Sequence, residues 1–464
     1  MKKLFHFLIF LFPVVVFAQQ PWVKYSPLVI AWQNVGYAGF SAGPVAYTSL
    51  AFNPYDSKPY MAYNDGGNNN KATVMKFNSS NWVNVGTPGF SGGHAEWTSL
   101  AFDTLGQPYV AFKDWSNSRK ATVMKFDGTN WVNVGTAGFS AGPVDYTSIA
   151  FGPSGQPYVA YADSSQHKKV TVMMFDGTNW GSVGNVGFSA GGASFISLVF
   201  NTSPEPIVGY QDAANGEKAS VMTYNGTTWV YIGSAGFTPG IAPYTSLAYS
   251  SFGEPFIAFE DYSNSQKVSV MRYDSSQWKY VGNGGFSEGT GLYESLALSL
   301  RGQPYVAYQD LANSEKATVM KFTGTAWVNV GDSAFSIGAV EYTSLAFSPS
   351  GTPYVGYRDD GISENATVMK FDTLNTTGIN DLKGSMLSVY PNPARDKITV
   401  QLSGAPDETT LAIIDARGQQ LIIRQITAPI TQFNISALPD GVYFVRLTNN
   451  KTVEVRKFIK QAMQ

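Results

Sequence analysis

Seven aromatic residues, Tyr47, Trp97, Tyr146, Phe195, Tyr244, Tyr293 and Tyr342, each stand directly before a TSLAF-like stretch. Seven aspartates, Asp65, Asp114, Asp163, Asp212, Asp261, Asp310 and Asp359, each follow a PYVAY-like stretch by two residues. Rings beside carboxylates are the chemistry of sugar recognition, because the C–H face of a pyranose stacks on an aromatic ring while its hydroxyls bond to polar groups. Six copies add a lysine six residues after the aspartate, at Lys71, Lys120, Lys169, Lys218, Lys267 and Lys316, and the seventh has Asn365. The same pattern has a plainer account, in which the aspartate organises the next turn, aided by the lysine, and the aromatic wedges between repeats. A feature present in every copy is explained by every copy needing it to fold, so the plainer account has the prior claim.

Positions where the copies differ are better candidates for a unique site. The residues before the aromatics are Ala46, Glu96, Asp145, Ser194, Pro243, Leu292 and Glu341. Glu96, Asp145 and Glu341 are therefore expected to converge near a common axis. With Tyr47, Trp97, Tyr146, Tyr244, Tyr293 and Tyr342 they form the candidate ligand-binding set, weighed against ordinary variation in solvated loops. His94, Trp97 and Trp115 mark the second copy as the most specialised side.

Catalytic signatures are thin. The chain has no cysteine, and past His6 its histidines are His94 and His167, in different copies. Cys/His zinc sites and Ser-His or Cys-His nucleophile systems thus lack their parts. The segment "GFSAG" at 138–142 is not a Gly-x-Ser-x-Gly elbow, and its glycines suit a tight turn with the Phe packed beneath. No catalytic residue, metal or cofactor is assigned.

What must position these residues is a repeat. Trp-x-x-Val-Gly begins at Trp32, Trp82, Trp131, Trp180, Trp229 (with Ile232), Trp278 and Trp327, spaced by 50 residues once and by 49 otherwise. TSLAF, PYVAY and KATVMKF variants keep the same beat, each seven times. Each landmark is a short apolar or alternating run bounded by Gly, Pro, Asn or Asp, the mark of a strand. Four strands per period of about 50 predict the blades of a seven-bladed β-propeller, with a parallel β-helix as the weaker alternative because its shorter turns need no internal hairpins. The strands are named A (TSLAF), B (PYVAY), C (KATVMKF) and D (WVNVG). The tryptophan of strand D is expected in the core between blades.

The phase carries a second argument. The repeat opens on the strand D of residues 32–35 and ends on the strand C of 366–371, so the seventh blade lacks its own D strand. The N-terminal strand is expected to supply it, pairing near residues 368–371 and removing two exposed edges. The A–B and C–D hairpins are short, whereas the B–C and D–A connections are long and share one face, where binding is expected.

Composition agrees. Formal net charge is −2 and only 14% of residues are charged, which argues against nucleic acid or a polybasic membrane surface as partner. Lys2 and Lys3, an apolar run over 4–16, and Val16 and Ala18 before Gln19 read as a signal peptide over 1–18. That run is too short to cross a bilayer, and no later segment qualifies.

The rhythm stops after Asp372. Residues 373–385 read as a polar linker, and 386–464 show alternating strands with Asn-Pro, Arg-Gly and Asp-Gly turns, a small β-sandwich. Tyr390-Pro391-Asn392-Pro393, "DARGQ" at 415–419, "LPDGVYFVRL" at 438–447 and "KFIK" at 457–460 together resemble the type A C-terminal sorting domain of the type IX secretion system. The resemblance implies a Gram-negative cell, the secretion machinery as partner, passage through the periplasm, and release or display at the outer-membrane surface. Residues 19–372 would then be a monomeric cargo propeller. Its leading reading is non-catalytic binding of a glycan, ahead of a surface protein. The alternatives are an extracellular polysaccharide-acting enzyme and an adhesin or structural surface protein.

Overall fold

The computed structural model describes residues 30–200, 204–373, 387–402, 409–415, 419–448 and 453–461. The predicted leader, all of the predicted linker but Thr373, and the middle of the "DARGQ" turn lie outside these residues. The chain divides into two compact units at Leu374/Asn375.

The first unit is a β-propeller of seven four-stranded antiparallel sheets. Blade 3 shows the plan: strand A is Val144–Phe151, B is Pro157–Asp163, C is Lys169–Phe175 and D is Trp180–Ser182. Strands B and C carry the deepest core because a central strand is covered on both faces by neighbouring blades; Val159, Ala160, Tyr161, Ala162 and Val170 are all buried. The hairpins are fixed locally. In the C–D turn of this blade, the Asp176 carboxylate accepts from the backbone N–H groups of Thr178 and Asn179 at 2.8 and 2.7 Å.

Three bonds, repeated around the ring, lock one blade to the next. The Nε1 of each strand D tryptophan donates to a backbone carbonyl of the preceding blade, at 2.6–2.8 Å. The same indole stacks on the phenylalanine of the "GFS" segment, as Trp131 does on Phe90 with centroids 4.0 Å apart and planes at 8°. In strand A, the serine of TSLAF accepts from a backbone N–H of the next blade, as Ser99 does from Ile149 at 3.1 Å. The glycine after each tryptophan strand has no room for a side chain: a Cβ at Gly135 would lie 2.8 Å from Phe175, and its φ is +70°.

The N-terminal strand, Ile30–Asn34, lies antiparallel to Asn365–Thr373 in the seventh sheet, with Trp32 opposite Phe371. The strand count predicts this pairing. Trp32 then clasps blade 6 through Val330, and Trp82 of blade 1 reaches back to Val35, so blades 7 and 1 meet as other neighbours do. Leu50 N–H likewise donates to Ser344 at 2.9 Å.

The second unit is built from a three-stranded and a four-stranded sheet. Its core joins Leu387, Ile398, Val400, Ile413, Phe433, Val445, Leu447 and Phe458 from both. Here Asn392 accepts from the Ile459 N–H at 2.9 Å and Ala394 N–H donates to the Ile459 carbonyl at 2.7 Å. The Tyr-Pro-Asn-Pro and "KFIK" segments, at opposite ends of this domain's sequence, are therefore one structural feature.

Candidate binding site at the propeller axis

The seven aromatics form a continuous belt. Neighbouring ring centroids are 4.2–5.1 Å apart all the way round, from Tyr47–Trp97 through Trp97–Tyr146 to Tyr342–Tyr47, with planes tilted by 43–55°. These tilted contacts suit the ring quadrupole better than a flat sandwich. The belt surrounds a cavity of about 490 Å³, whose wall consists of the seven rings and the residue following each.

Local backbone geometry aims the rings inward. In blade 3 the A–B pairing slips between Asp145 and Ser148, a bulge, and Tyr146 takes φ = +55°. All seven aromatics lie in this left-handed region, with φ between 51° and 55°. A bulky side chain there costs about 1–3 kcal/mol, so tertiary contacts must hold it. One contact is visible: Thr98, Thr147, Thr245, Thr343 and Thr48 donate their hydroxyls to the carbonyl of the preceding blade's belt residue. Blades 4 and 6 break the rule with Ile196 and Glu294. Strand A begins opposite the end of strand B, so the belt lies toward the B–C turns.

Wedging and site geometry coincide in these rings, since each touches both neighbours and also lines the cavity. Their hydroxyls stay protonated: burial and then Glu260, Glu294 and Glu341 push Tyr244 up to about 12, and burial with Glu96 raises Tyr47 further.

The acidic set is reorganised by partners that sequence reading did not supply. Glu96 and Asp145 do come together, but on one lysine: Lys113 Nζ is 3.1 Å from Glu96 and 2.9 Å from Asp145. Glu341 sits apart, 3.1 Å from Arg358, which also binds Asp360 at 3.0 Å. Lys113 and Arg358 stand opposite Glu96 and Glu341 in the A–B ladder. The three expected acids are thus ion-paired rather than free at the axis. Beside them His94 stacks on Trp115 at 5.3 Å, with Arg119 over the indole at 4.9 Å.

Six of the seven aspartates cap the turn that follows them, Asp310 being the exception. Asp114 caps the 3-10 turn Trp115–Asn117 through the Ser116 N–H at 2.9 Å and accepts from the Thr122 hydroxyl at 2.9 Å. Five other copies repeat this hydroxyl bond with Thr or Ser, for instance Thr73 and Ser220. The expected help from lysine is not seen: Asp114 and Lys120 pair through backbone register, and the carboxylate's partners are hydroxyl and amide groups. The "GFS" serines are buried and doubly bonded, Ser140 accepting from Ala121 N–H and donating to the Gly142 carbonyl. These hydroxyls are committed to the turn that follows them.

Two functional candidates were missed. Glu294 replaces the belt threonine in blade 6, is 7% exposed, and has no hydrogen-bond partner for either carboxyl oxygen among the described residues. Burial raises its pKa well above the carboxylate range, and Glu260 adds to the rise. Glu260, 3% exposed on strand Pro255–Asp261 of blade 5, is pushed up by burial to about 7. Across from it, ahead of strand Ser246–Tyr249, stands Pro243, whose carbonyl accepts from Glu260 N–H at 3.2 Å and which offers no charge. The break from Thr to Glu at 294 was the available signal.

Residues 388–461 match the secretion system C-terminal sorting domain. The protein is therefore cargo of that system, exported to the cell surface or released from it. No curated protein sequence matches the chain. Among solved structures, PorZ, an essential surface component of the type IX secretion system of Porphyromonas gingivalis, is 16% identical with a TM-score of 0.47. The likeness covers 90% of this chain and 59% of PorZ, so the chain spans about three fifths of that protein's length. A polysaccharide lyase of the ulvan lyase family PL25 is 12% identical with a TM-score of 0.48, over 74% of this chain and 96% of its own. The Aleuria aurantia lectin is 17% identical with a TM-score of 0.41, over 61% and 97%. At such identities the likeness is one of fold.

Proposed function

We propose that the protein is an exported propeller that binds carbohydrate at its axis without cleaving it. The observation that carries this reading is the unbroken belt of seven aromatic rings around one cavity of about 490 Å³. Ring faces and edges offer the C–H surface of a sugar about 1 kcal/mol per stacked contact, and the five tyrosine hydroxyls can exchange hydrogen bonds with sugar hydroxyls. Belt rings held in left-handed backbone are a costly arrangement, in keeping with strain stored at a binding site, although the same rings also pack blade against blade.

The test is a glycan array probed with the full secreted chain. Saccharide binding without product formation is expected, and Trp97→Ala with Tyr146→Ala should weaken it about tenfold or more when measured with monovalent ligand, so that avidity does not mask the loss. Binding unchanged in that double variant would place the site elsewhere. A polysaccharide-acting enzyme is the second reading, favoured by the raised pKa values of Glu260 and Glu294. The carboxyl oxygens of Glu294 are withdrawn from solvent, however, and cannot reach a scissile bond as they stand. New reducing ends or unsaturated sugars in the reaction mixture would decide for the enzyme.

A further inference from the structure

We propose that the axial cavity selects a saccharide bearing a protonated amine, a 2-amino-2-deoxyhexose unit, with its ammonium group on the side of blades 5 and 6, where Glu260 and Glu294 lie. The saccharide part rests on the preceding reading; the ammonium part does not.

The charges around the belt are unbalanced. Glu96, Asp145, Glu260, Glu294 and Glu341 all bear on the belt tyrosines, whereas the bases ion-paired to these acids in the B strands are Lys113 and Arg358, on blades 2 and 7. On blades 5 and 6, neither Glu260 nor Glu294 forms a salt bridge among the described residues. The titratable groups near this pair include Tyr244, Tyr293, Tyr308, Asp261 and Asp310, with Glu341 and Glu288 acting on the same tyrosines, and Lys267 is in ladder register with Asp261 rather than with Glu260.

Glu294 is the telling residue. Five blades place a threonine there and gain a hydroxyl-to-carbonyl bond between blades; blade 6 forgoes that bond and buries a carboxyl with both oxygens unsatisfied. Blade 4 also lacks the threonine, but its Ile196 leaves no polar group unsatisfied; a desolvated acid in place of a bonding hydroxyl is expected where a ligand uses the exception. A neutral sugar would be served by the threonine. A cation is served by the acid, because a carboxylate buried in the wall acts across low-dielectric protein without contact, and the electron-rich ring faces attract the same positive group. Burial favours the protonated form of both acids in the free protein, so cation binding draws protons off them, and affinity for a permanent cation rises with pH.

The experiment is calorimetric titration of the full chain with tetramethylammonium, a glucosamine oligomer and the matching N-acetylated oligomer, in two buffers of different ionisation enthalpy. The oligomers are compared at pH 6, where the amine is protonated; tetramethylammonium is measured at pH 6 and pH 8. The expected result is that the free-amine oligomer binds at least tenfold tighter than the acetylated one, that protons are released, and that tetramethylammonium binds tighter at pH 8. Glu294→Thr restores the residue of five other blades, so it should unfold at no lower temperature while binding both cations at least tenfold more weakly. Equal affinity for the two oligomers, unchanged in Glu294→Thr, overturns the ammonium inference and leaves carbohydrate binding standing. Glu294-dependent binding of tetramethylammonium with no saccharide bound supports the inference and sinks the carbohydrate reading. Heat from none of the three probes overturns both.

Discussion

Replacing Trp32 by alanine tests whether the N-terminal strand is a full member of the seventh blade. The indole donates to the Val330 carbonyl at 2.6 Å, stacks on Phe335 at 4.2 Å and 13°, and meets Phe371 at 5.6 Å. Trp131, inside the chain, makes the same contacts: Nε1 to Val85 at 2.7 Å and a 4.0 Å stack on Phe90. Truncating a buried tryptophan costs about 3–5 kcal/mol. Trp32 is the less buried of the two, so the lower end, about 3 kcal/mol, is expected for Trp32→Ala. Trp32→Phe keeps the ring and strips the hydrogen bond, for about 1–2 kcal/mol. The assay is guanidinium unfolding of the full chain followed by far-ultraviolet circular dichroism, with Trp131→Ala in parallel. If Trp131→Ala shifts the midpoint and Trp32→Ala does not, the terminal strand contributes no stability and the pairing argument fails.

Thr147→Val removes the hydroxyl that holds the Trp97 carbonyl and should destabilise the propeller by about 1–2 kcal/mol in the same assay; no change would mean that the hydroxyl does not support the belt backbone. Glu260 holds its proton up to about 7 when folded, against a usual value of 4.5, so the folded chain binds a proton that the unfolded chain has already lost. Stability should therefore fall as pH rises from about 4.5 to 7, and Glu260→Gln should flatten that decline, as read from melting temperatures across this window; an identical slope in the variant would count against the assignment. Deleting residues 388–461 should leave a folded propeller in the periplasm, seen by cell fractionation and immunoblotting, and normal surface delivery would contradict the role of the sorting domain.

Strand identity, blade number and the phase of the repeat were all legible in the sequence, because each rests on local alternation and turn chemistry copied at a fixed interval. The offset between Trp32 and Phe371 even carried a long-range pairing, since a ladder tolerates no missing strand without exposing edges. The sorting domain was legible through the resemblance of its four motifs, and the structure shows that the first and last of them meet, Asn392 accepting from the Ile459 N–H. The turn role of the aspartates followed from their presence in every copy. What only the tertiary structure decided is the electrical state of the site. The sequence placed three acids near the axis, but Lys113 and Arg358, opposite Glu96 and Glu341 in the ladder, ion-pair with them, Lys113 reaching Asp145 as well, while Pro243 offers Glu260 no such partner. Glu294 stands in the sequence only as a break from the threonine of TSLAF, and among the described residues it proves to be a buried acid with no hydrogen-bond partner for its carboxyl. The ionisation of a carboxyl depends on desolvation and on charges a few ångströms away, and those neighbours belong to other strands and other blades.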